Sequence, residues 1–314
     1  MELYNLNMTI ASRGLEFWEQ EKNRKMANQK DLIISACANY TADKIEQYIN
    51  SIHESGFTGD KIMICYNLSE ETHLYLKRMG WGCVTSTLQG HPHMKRLIDT
   101  WYVLEQNPFN ESYRYVITTD VRDVVFQTNP SDWLNKFFYT GMEWNNGIEV
   151  IIASEGVTYS EEQWGMKNMY EGYGETYLEW IKPKEIGNVG IILGKAEGVK
   201  NLLQLNYLVS QGGNTQHFTD QSSLNLIIHN ELVKDKIRIS KHVCLQVGTR
   251  GDDFEIKDNK VMNGDEAFPI VHQYDRSDKL NSLYKHYKST MPVPKENIFI
   301  QPTGGLPKLK MLNK

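Results

Sequence analysis

Short apolar runs alternate with amphipathic segments along the first third of the chain. Residues 32–38 (LIISACA) form a continuous apolar run that is typical of a buried strand, and residues 42–55 carry apolar side chains at helical spacing. The alternation continues, and it predicts further strands at 61–66, near Val84 and at 113–117, with helices at 72–79 and 95–106. Strands and helices in this order predict a mostly parallel sheet covered by helices on both faces.

The rest of the chain extends this α/β pattern and bounds the domain. Apolar runs predict later strands at residues 149–153, 190–193 and 269–272. Residues 1–30 are polar and are interpreted as an N-terminal arm, and residues 291–314, rich in proline and lysine, as an extended tail. We therefore expect one α/β domain over residues 31–290. Its ligands should bind beyond the carboxyl ends of the strands, near Asn39 and after Ile117.

Composition and charge exclude several classes of function. The chain of 314 residues has a formal net charge of -5 and no long basic run, which argues against a nucleic-acid partner. No apolar run approaches the ~18 residues that span a bilayer, so no transmembrane segment is expected. The first residues also lack an apolar signal-peptide core. We expect a cytoplasmic protein, unless a membrane anchor has been removed, with its four cysteines reduced and buried.

The most informative stretch is an apolar strand that runs into two carboxylates, Asp120 and Asp123, and then into a second apolar run. Carboxylates in a mostly buried place need partners, and a divalent cation with oxygen ligands is one such partner. The alternative is that the two aspartates cap a turn while the intervening Arg122 neutralises one of them. The apolar sequence on both sides favours the metal site.

This motif resembles the DxxD segment of GT-A glycosyltransferases, in particular the glycosyltransferase domain of procollagen lysyl hydroxylases and related viral enzymes. The resemblance implies that Asp120 and Asp123 hold Mn²⁺ (or Mg²⁺) against a donor diphosphate, and that His272, after a late apolar run, completes the metal site. It also assigns Val121 and Arg122 to the donor-binding segment. The spacing departs from the commoner DxD, and the rest of the lysyl hydroxylase chain is absent, so no collagen acceptor is inferred.

Later motifs of the chain occur in the same order as in this family, over about 150 residues. Asn188 and Gly190 resemble its N-x-G segment, where small residues let the backbone approach the sugars, and Asp220 with Gln221 resembles its D-Q helix start. The alternatives are a glycine-bounded strand and an N-cap. The resemblance makes Asp220 a candidate base or hydroxyl binder, and Glu155, which follows a predicted strand, is a second candidate.

Three further positions are assigned to substrates. The resemblance places the nucleotide base at Asn39 and Tyr40, with Tyr40 stacking on it. Lys95 and Arg96 are candidates to meet the phosphates or to brace the acidic motif, and a solvated helix end is the alternative. Trp164 is a candidate to stack on a sugar face, and a buried structural tryptophan is the alternative.

These observations predict a metal-dependent glycosyltransferase of GT-A fold that uses a UDP- or GDP-linked sugar. The resemblance favours a retaining reaction and implies a glycan or glycoprotein acceptor. A nucleotidyltransferase is the first alternative, but such enzymes usually carry a glycine-rich loop after the first strand, and residues 38–41 (ANYT) contain no glycine. A non-catalytic carbohydrate-binding protein of the same fold is the second.

Overall fold

The structure is a computed structural model that describes residues 29–87, 90–106, 113–139, 147–215 and 218–288. Its strands, in chain order, are β1 (Leu32–Ala38), β2 (Asp60–Tyr66), β3 (Gly82–Thr85), β4 (Tyr115–Thr119), β5 (Val124–Phe126), β6 (Val150–Thr158), β7 (Glu185–Lys195), β8 (Ile237–Ser240), β9 (Cys244–Gln246), β10 (Ile256–Lys257), β11 (Lys260–Asn263), β12 (Glu266–Ala267) and β13 (Ile270–His272). Its α-helices are α1 (Ala42–Glu54), α2 (Glu70–Arg78), α3 (Pro92–Glu105), α4 (Pro130–Tyr139), α5 (Gln163–Tyr173), α6 (Glu175–Ile181), α7 (Ala196–Ser210), α8 (Thr219–Ile228), α9 (Val247–Arg250) and α10 (Asp278–Leu283).

The main sheet has seven strands in the order β3-β2-β1-β4-β7-β6-β8. All neighbouring strands pair in parallel, except that β7 runs antiparallel to both β4 and β6. The predicted fold class, an α/β domain with a mostly parallel, mixed sheet flanked by helices, is confirmed.

Alternation along the strands explains why both faces of the sheet are covered. In β1, Ile33 and Cys37 join a core with apolar residues of α1, α2 and α4, whereas Leu32 and Ile34 join a core with residues of α3, α7 and α8. Successive side chains of a strand point to opposite faces, so a fully apolar strand needs a helical layer on each side. The carboxyl ends of β1 and β4 are thereby left at one edge of the sheet, between the two layers.

A small second sheet brings distant parts of the chain to this edge. Its order is β5-β13-β9, with β13 antiparallel to β5 and parallel to β9. The register sets His272 opposite Val124 on one side and Gln246 on the other. Because β5 begins one residue after Asp123, this pairing carries a histidine from far along the chain to the acidic motif.

The predicted elements occur in the predicted order, but the structure adds others, among them the helices α4, α5, α6, α7, α9 and α10. The strands β6 and β7 are longer than predicted, and β5, β8, β9 and β10–β12 were not predicted. These strands have two to four residues, too few to show a period of two. The predicted arm, residues 1–30, lies outside the described residues apart from its last two, and the predicted tail, residues 291–314, lies wholly outside them.

The cysteines agree with the expectation of reduced thiols. None of the four forms a disulfide, and all except the half-buried Cys83 are buried. In the ranges that the structure describes, no helix has the length and apolar character needed to cross a membrane.

Candidate active site

A cavity of about 820 Å³ opens at the carboxyl edge of the main sheet, where the sequence predicted ligand binding. Residues from β1, β4, β6, β7 and β13, or from the loops that follow them, line it. Of the site residues predicted from the sequence, all except Lys95 line this cavity: Asn39, Tyr40, Arg96, Asp120, Val121, Arg122, Asp123, Glu155, Trp164, Asn188, Gly190, Asp220, Gln221 and His272.

Two carboxylates and one imidazole converge in the cavity. Nε2 of His272 lies 3.5 Å from Oδ2 of Asp120 and 3.7 Å from Oδ1 of Asp123. One ligand atom from each residue lies within 4.8 Å of those of the other two. Two carboxylate oxygens and an imidazole nitrogen are donors that Mn²⁺ accepts. The three residues can therefore hold a divalent cation.

The orientation of His272 suits this role. Its Nδ1 lies 2.8 Å from Oε1 of Gln246, its register partner on β9. Oε1 is an acceptor, so Nδ1 carries a proton and donates it, and Nε2 faces the two carboxylates. A hydrogen bond at the second ring nitrogen is the usual way in which proteins fix the tautomer of a metal-binding histidine.

The charges of the trio are strongly coupled. Burial alone would lower the pKa of His272, but the hydrogen bond to Asp120 and the charges of Asp123, Asp120 and Glu155 raise it above its ordinary value. Burial alone would raise the pKa of Asp120, but the charge of Arg96 and hydrogen bonds from His272 and Arg96 hold it well below its usual range. Without a metal ion, a proton on His272 partly balances the carboxylates.

Arg96 links the trio to Asp220. Its Nη1 donates to Oδ1 of Asp120, and its Nη2 lies 3.2 Å from Oδ2 of Asp220. Asp220 is 2% exposed, so its ion pair is shielded from water. The prediction that Arg96 braces the acidic motif agrees with this geometry. Its neighbour Lys95 instead binds both carboxylate oxygens of Asp99, at 2.8 Å, away from the cavity.

Small residues on β7 let Asp120 approach the sheet. A Cβ on Gly190 would lie 2.6 Å from Oδ2 of Asp120 and 2.8 Å from Oδ1 of Asn188, closer than real Cβ contacts. The backbone N–H of Asp120 donates to the carbonyl of Gly190 at 2.7 Å. The Asn188 side chain accepts from the Gly190 N–H and donates to Glu155. Gly190 therefore lets Asp120 lie directly against β7.

Several residues that line the cavity were missed from the sequence. These residues share no sequence motif. They are His93, Glu162, Phe218, Gly248, Thr249, Gln273 and Arg276. Thr249 donates to Glu155, and Phe218 has a left-handed backbone, with φ 54°. Gln273 and Arg276 follow His272 closely in the chain. Their position beside a predicted metal ligand was the one feature of the sequence that could have indicated them.

Comparison with known proteins gives a distant likeness. No protein-family model matches the chain, and no curated protein matches it. Among solved structures, it is similar to the glycosyltransferase GlyE of Streptococcus pneumoniae TIGR4, with 17% identity over 85% of this chain and 62% of that chain, and a TM-score of 0.48. It is also similar to an active-site mutant of LgtC, with 11% identity over 83% of this chain and 97% of that chain, and a TM-score of 0.49. The chain thus spans about three fifths of the length of GlyE.

The raised pKa of His272 predicts a pH-dependent stability. The folded protein binds this proton more tightly than the unfolded chain, whose histidine pKa is about 6.5. The stabilisation is therefore fully present below pH ~6.5 and is lost as pH rises through the folded-state pKa. The quantity to measure is the free energy of unfolding of wild type minus that of His272→Gln, by urea denaturation in EDTA. We expect this difference to fall as the pH rises above ~6.5.

The matched control is His53→Gln, which changes an exposed histidine of α1. Its difference from wild type should vary less with pH over the same range. A wild-type minus His272→Gln difference that is constant or rises with pH would contradict the assignment of charge at this site.

Proposed function

We propose that this chain is a metal-dependent glycosyltransferase of GT-A type. It transfers a sugar from a UDP- or GDP-linked donor to a hydroxyl group of a glycan or glycoprotein. The convergence of Asp120, Asp123 and His272 in the cavity carries this proposal. The acidic motif directly after β4, beside an N-x-G segment on β7, is the arrangement that the GT-A resemblance implies.

Mn²⁺, or Mg²⁺, is the cofactor that fits the three side chains. An imidazole ligand beside two carboxylates favours Mn²⁺ over Mg²⁺. Gly190 has no Cβ, and the space that a Cβ would fill lies beside Oδ2 of Asp120. This oxygen therefore stays accessible next to Nε2 of His272. The bound ion would stabilise the negative charge that builds up on the leaving diphosphate.

The donor nucleotide fits the β1 side of the cavity. Asn39 has a left-handed backbone, with φ 57°, and its side chain accepts a hydrogen bond from Asn67, which fixes the exit of β1. Tyr40 follows, half-buried and lining the cavity, where its ring is available to a nucleobase. We assign the base to these two residues.

Arg276 is the cation best placed to meet the donor diphosphate. Arg96 is paired with Asp120 and Asp220, and Arg122 with Asp123 and Asp275. Within the described ranges Arg276 lines the cavity without a carboxylate partner, so its charge is not offset by an ion pair. A guanidinium group binds phosphate oxygens through two parallel N–H groups.

The acidic residues Asp220 and Glu155 are assigned to the sugars. Each is already held by protein donors, Asp220 by Arg96 and Glu155 by Asn188 and Thr249. Carboxylates fixed in this way orient hydroxyl groups for reaction.

In the retaining reaction that we favour, the acceptor hydroxyl attacks on the face that the diphosphate leaves, and its proton passes to the leaving phosphate. An inverting reaction would instead need Asp220 or Glu155 as the base.

Nucleotide binding should depend on a metal ion. Because a diphosphate beside Asp120 and Asp123 is repelled unless a cation lies between them, UDP or GDP should raise the melting temperature only with Mn²⁺ or Mg²⁺ present. A thermal-shift series with each nucleotide, with and without metal, measures this. Equal stabilisation in excess EDTA would rule out metal-bridged binding.

Asp123→Asn should abolish transfer and leave the fold intact. The change is nearly isosteric but removes one negative ligand, so donor turnover, followed as nucleotide release at saturating Mn²⁺, should fall by on the order of 100-fold or more. Asp132→Asn, on the exposed surface of α4, is the matched control and should retain wild-type turnover. Wild-type turnover in Asp123→Asn would show that this carboxylate is not a ligand.

A further inference from the structure

Aromatic side chains form one wall of the cavity, and we call Trp164, Phe218 and His93 the aromatic wall. The ring of Trp164 meets that of Phe218 edge to face, with centroids 5.1 Å apart and planes at 63°. The ring centroid of His93 lies 5.4 Å from that of Phe218. All three residues line the cavity that holds the metal-binding trio. The proposed donor and metal sites use none of them.

Trp164 is presented to the cavity by the start of α5. This helix buries Gly165, Asn168 and Met169 against the protein, whereas Trp164 remains 44% exposed. Glu162 caps the helix by accepting from the backbone N–H groups of Trp164 and Gly165. The cap fixes the first helical turn, so the indole is held in place without being buried. A large apolar ring held at the mouth of a polar cavity is suited to a ligand.

Phe218 is held in place by an uncommon backbone conformation. Its φ of 54° and ψ of 24° lie in the left-handed region, which bulky residues rarely adopt. The next residues, Thr219, Asp220 and Gln221, begin α8 and are buried. The turn therefore sets the phenyl ring beside Trp164 and, two residues later, the carboxylate of Asp220 in the same cavity.

The order of strands separates Trp164 from the nucleotide site. Tyr40 follows β1, the metal-binding aspartates follow β4, and Glu155 lies in β6, with β7 between β4 and β6. Three strand spacings of ~4.8 Å place the β1 and β6 ends about 14 Å apart. Trp164 follows β6 in the chain, so a donor with its base at Tyr40 and its diphosphate at Asp120 points its sugar toward the wall.

The chemistry of the wall fits a pyranose ring. One face of a pyranose presents C–H groups with partial positive charge, and the face of an aromatic ring is negative. Hydroxyl groups at the edge of the sugar need hydrogen-bonding partners, which Asp220, Gln221 and Glu162 supply around the wall. A flat apolar surface bordered by carboxylates and an amide meets both requirements.

We propose that the aromatic wall is the acceptor subsite, and that it takes a pyranoside stacked on Trp164. This assignment rests on the proposed glycosyltransferase function, and it narrows the acceptor from a hydroxyl group of a glycan or glycoprotein to one on a pyranose ring with an open C–H face. Phe218 packs edge to face against the indole, His93 packs against Phe218, and Asp220 directs the reacting hydroxyl toward the donor.

The test compares Trp164→Ala and Trp164→Phe with wild type. Methyl pyranosides and β-linked disaccharides of glucose, galactose, mannose and N-acetylglucosamine are screened with Mn²⁺ and the donor, and the sugar that most accelerates nucleotide release is used. Trp164→Ala should raise KM for that sugar about tenfold, and Trp164→Phe by less, because a smaller ring remains. Donor KM should change by less than acceptor KM.

Trp180→Ala is the matched control. Trp180 lies on α6, is 42% exposed and does not line the cavity, so its loss should leave both KM values unchanged. The inference is overturned by an unchanged acceptor KM in Trp164→Ala, by an equal loss of nucleotide affinity, or by a wild type that hydrolyses its donor but is accelerated by no pyranoside.

A second readout separates this inference from the proposed function. Saturation-transfer NMR of the same sugars without donor measures stacking directly, and signals on C–H protons should be present with wild type and lost with Trp164→Ala. If the protein neither hydrolyses a donor nor binds nucleotide with Mn²⁺, but these signals are seen, the proposed function fails, the assignment as an acceptor subsite falls with it, and only pyranoside binding at Trp164 stands. If nucleotide binding is intact and wild type shows no signals, the subsite fails alone.

Discussion

The pairing of β13 with β5 and β9 is the constraint on which the candidate site depends. It joins residues near 124, 246 and 272, and its register places His272 between Val124 and Gln246. Ile270 and Phe126 are buried on the same face as His272, and Val271 on the other. A slip of one residue would turn the imidazole away from Asp120 and Asp123. The position of His272 beside the two aspartates is thus specified by the burial of apolar neighbours.

Asp120 contacts two neighbouring groups of the site, one through each carboxylate oxygen. One carboxylate oxygen is bound by Arg96 and the other faces His272. Arg96 also binds Asp220, so the same guanidinium orients a metal ligand and a residue that we assign to the sugars. A cation that joins the site would replace the proton of His272, whose pKa is raised by the carboxylates, while Arg96 remains in place.

The sequence predicted the part of the site that lies on long, regular elements. The apolar run before Asp120 and the strand around Gly190 are visible because burial on both faces leaves a continuous pattern. Lys95 and Arg96 were not distinguished, because adjacent helical residues point ~100° apart and the pattern does not show which one faces the cavity. Phe218 was missed, since a left-handed phenylalanine leaves no signal in the sequence.

The most direct test of this account asks whether His272 binds a metal ion. Electron–nuclear double resonance on Mn²⁺-loaded protein, labelled with ¹⁵N-histidine, detects an imidazole nitrogen bound to the ion. The account predicts a nitrogen coupling in wild type and in His53→Gln, and its absence in His272→Gln that still binds Mn²⁺ through Asp120 and Asp123. An unchanged coupling in His272→Gln, or no nitrogen coupling in wild type with Mn²⁺ bound, would contradict it.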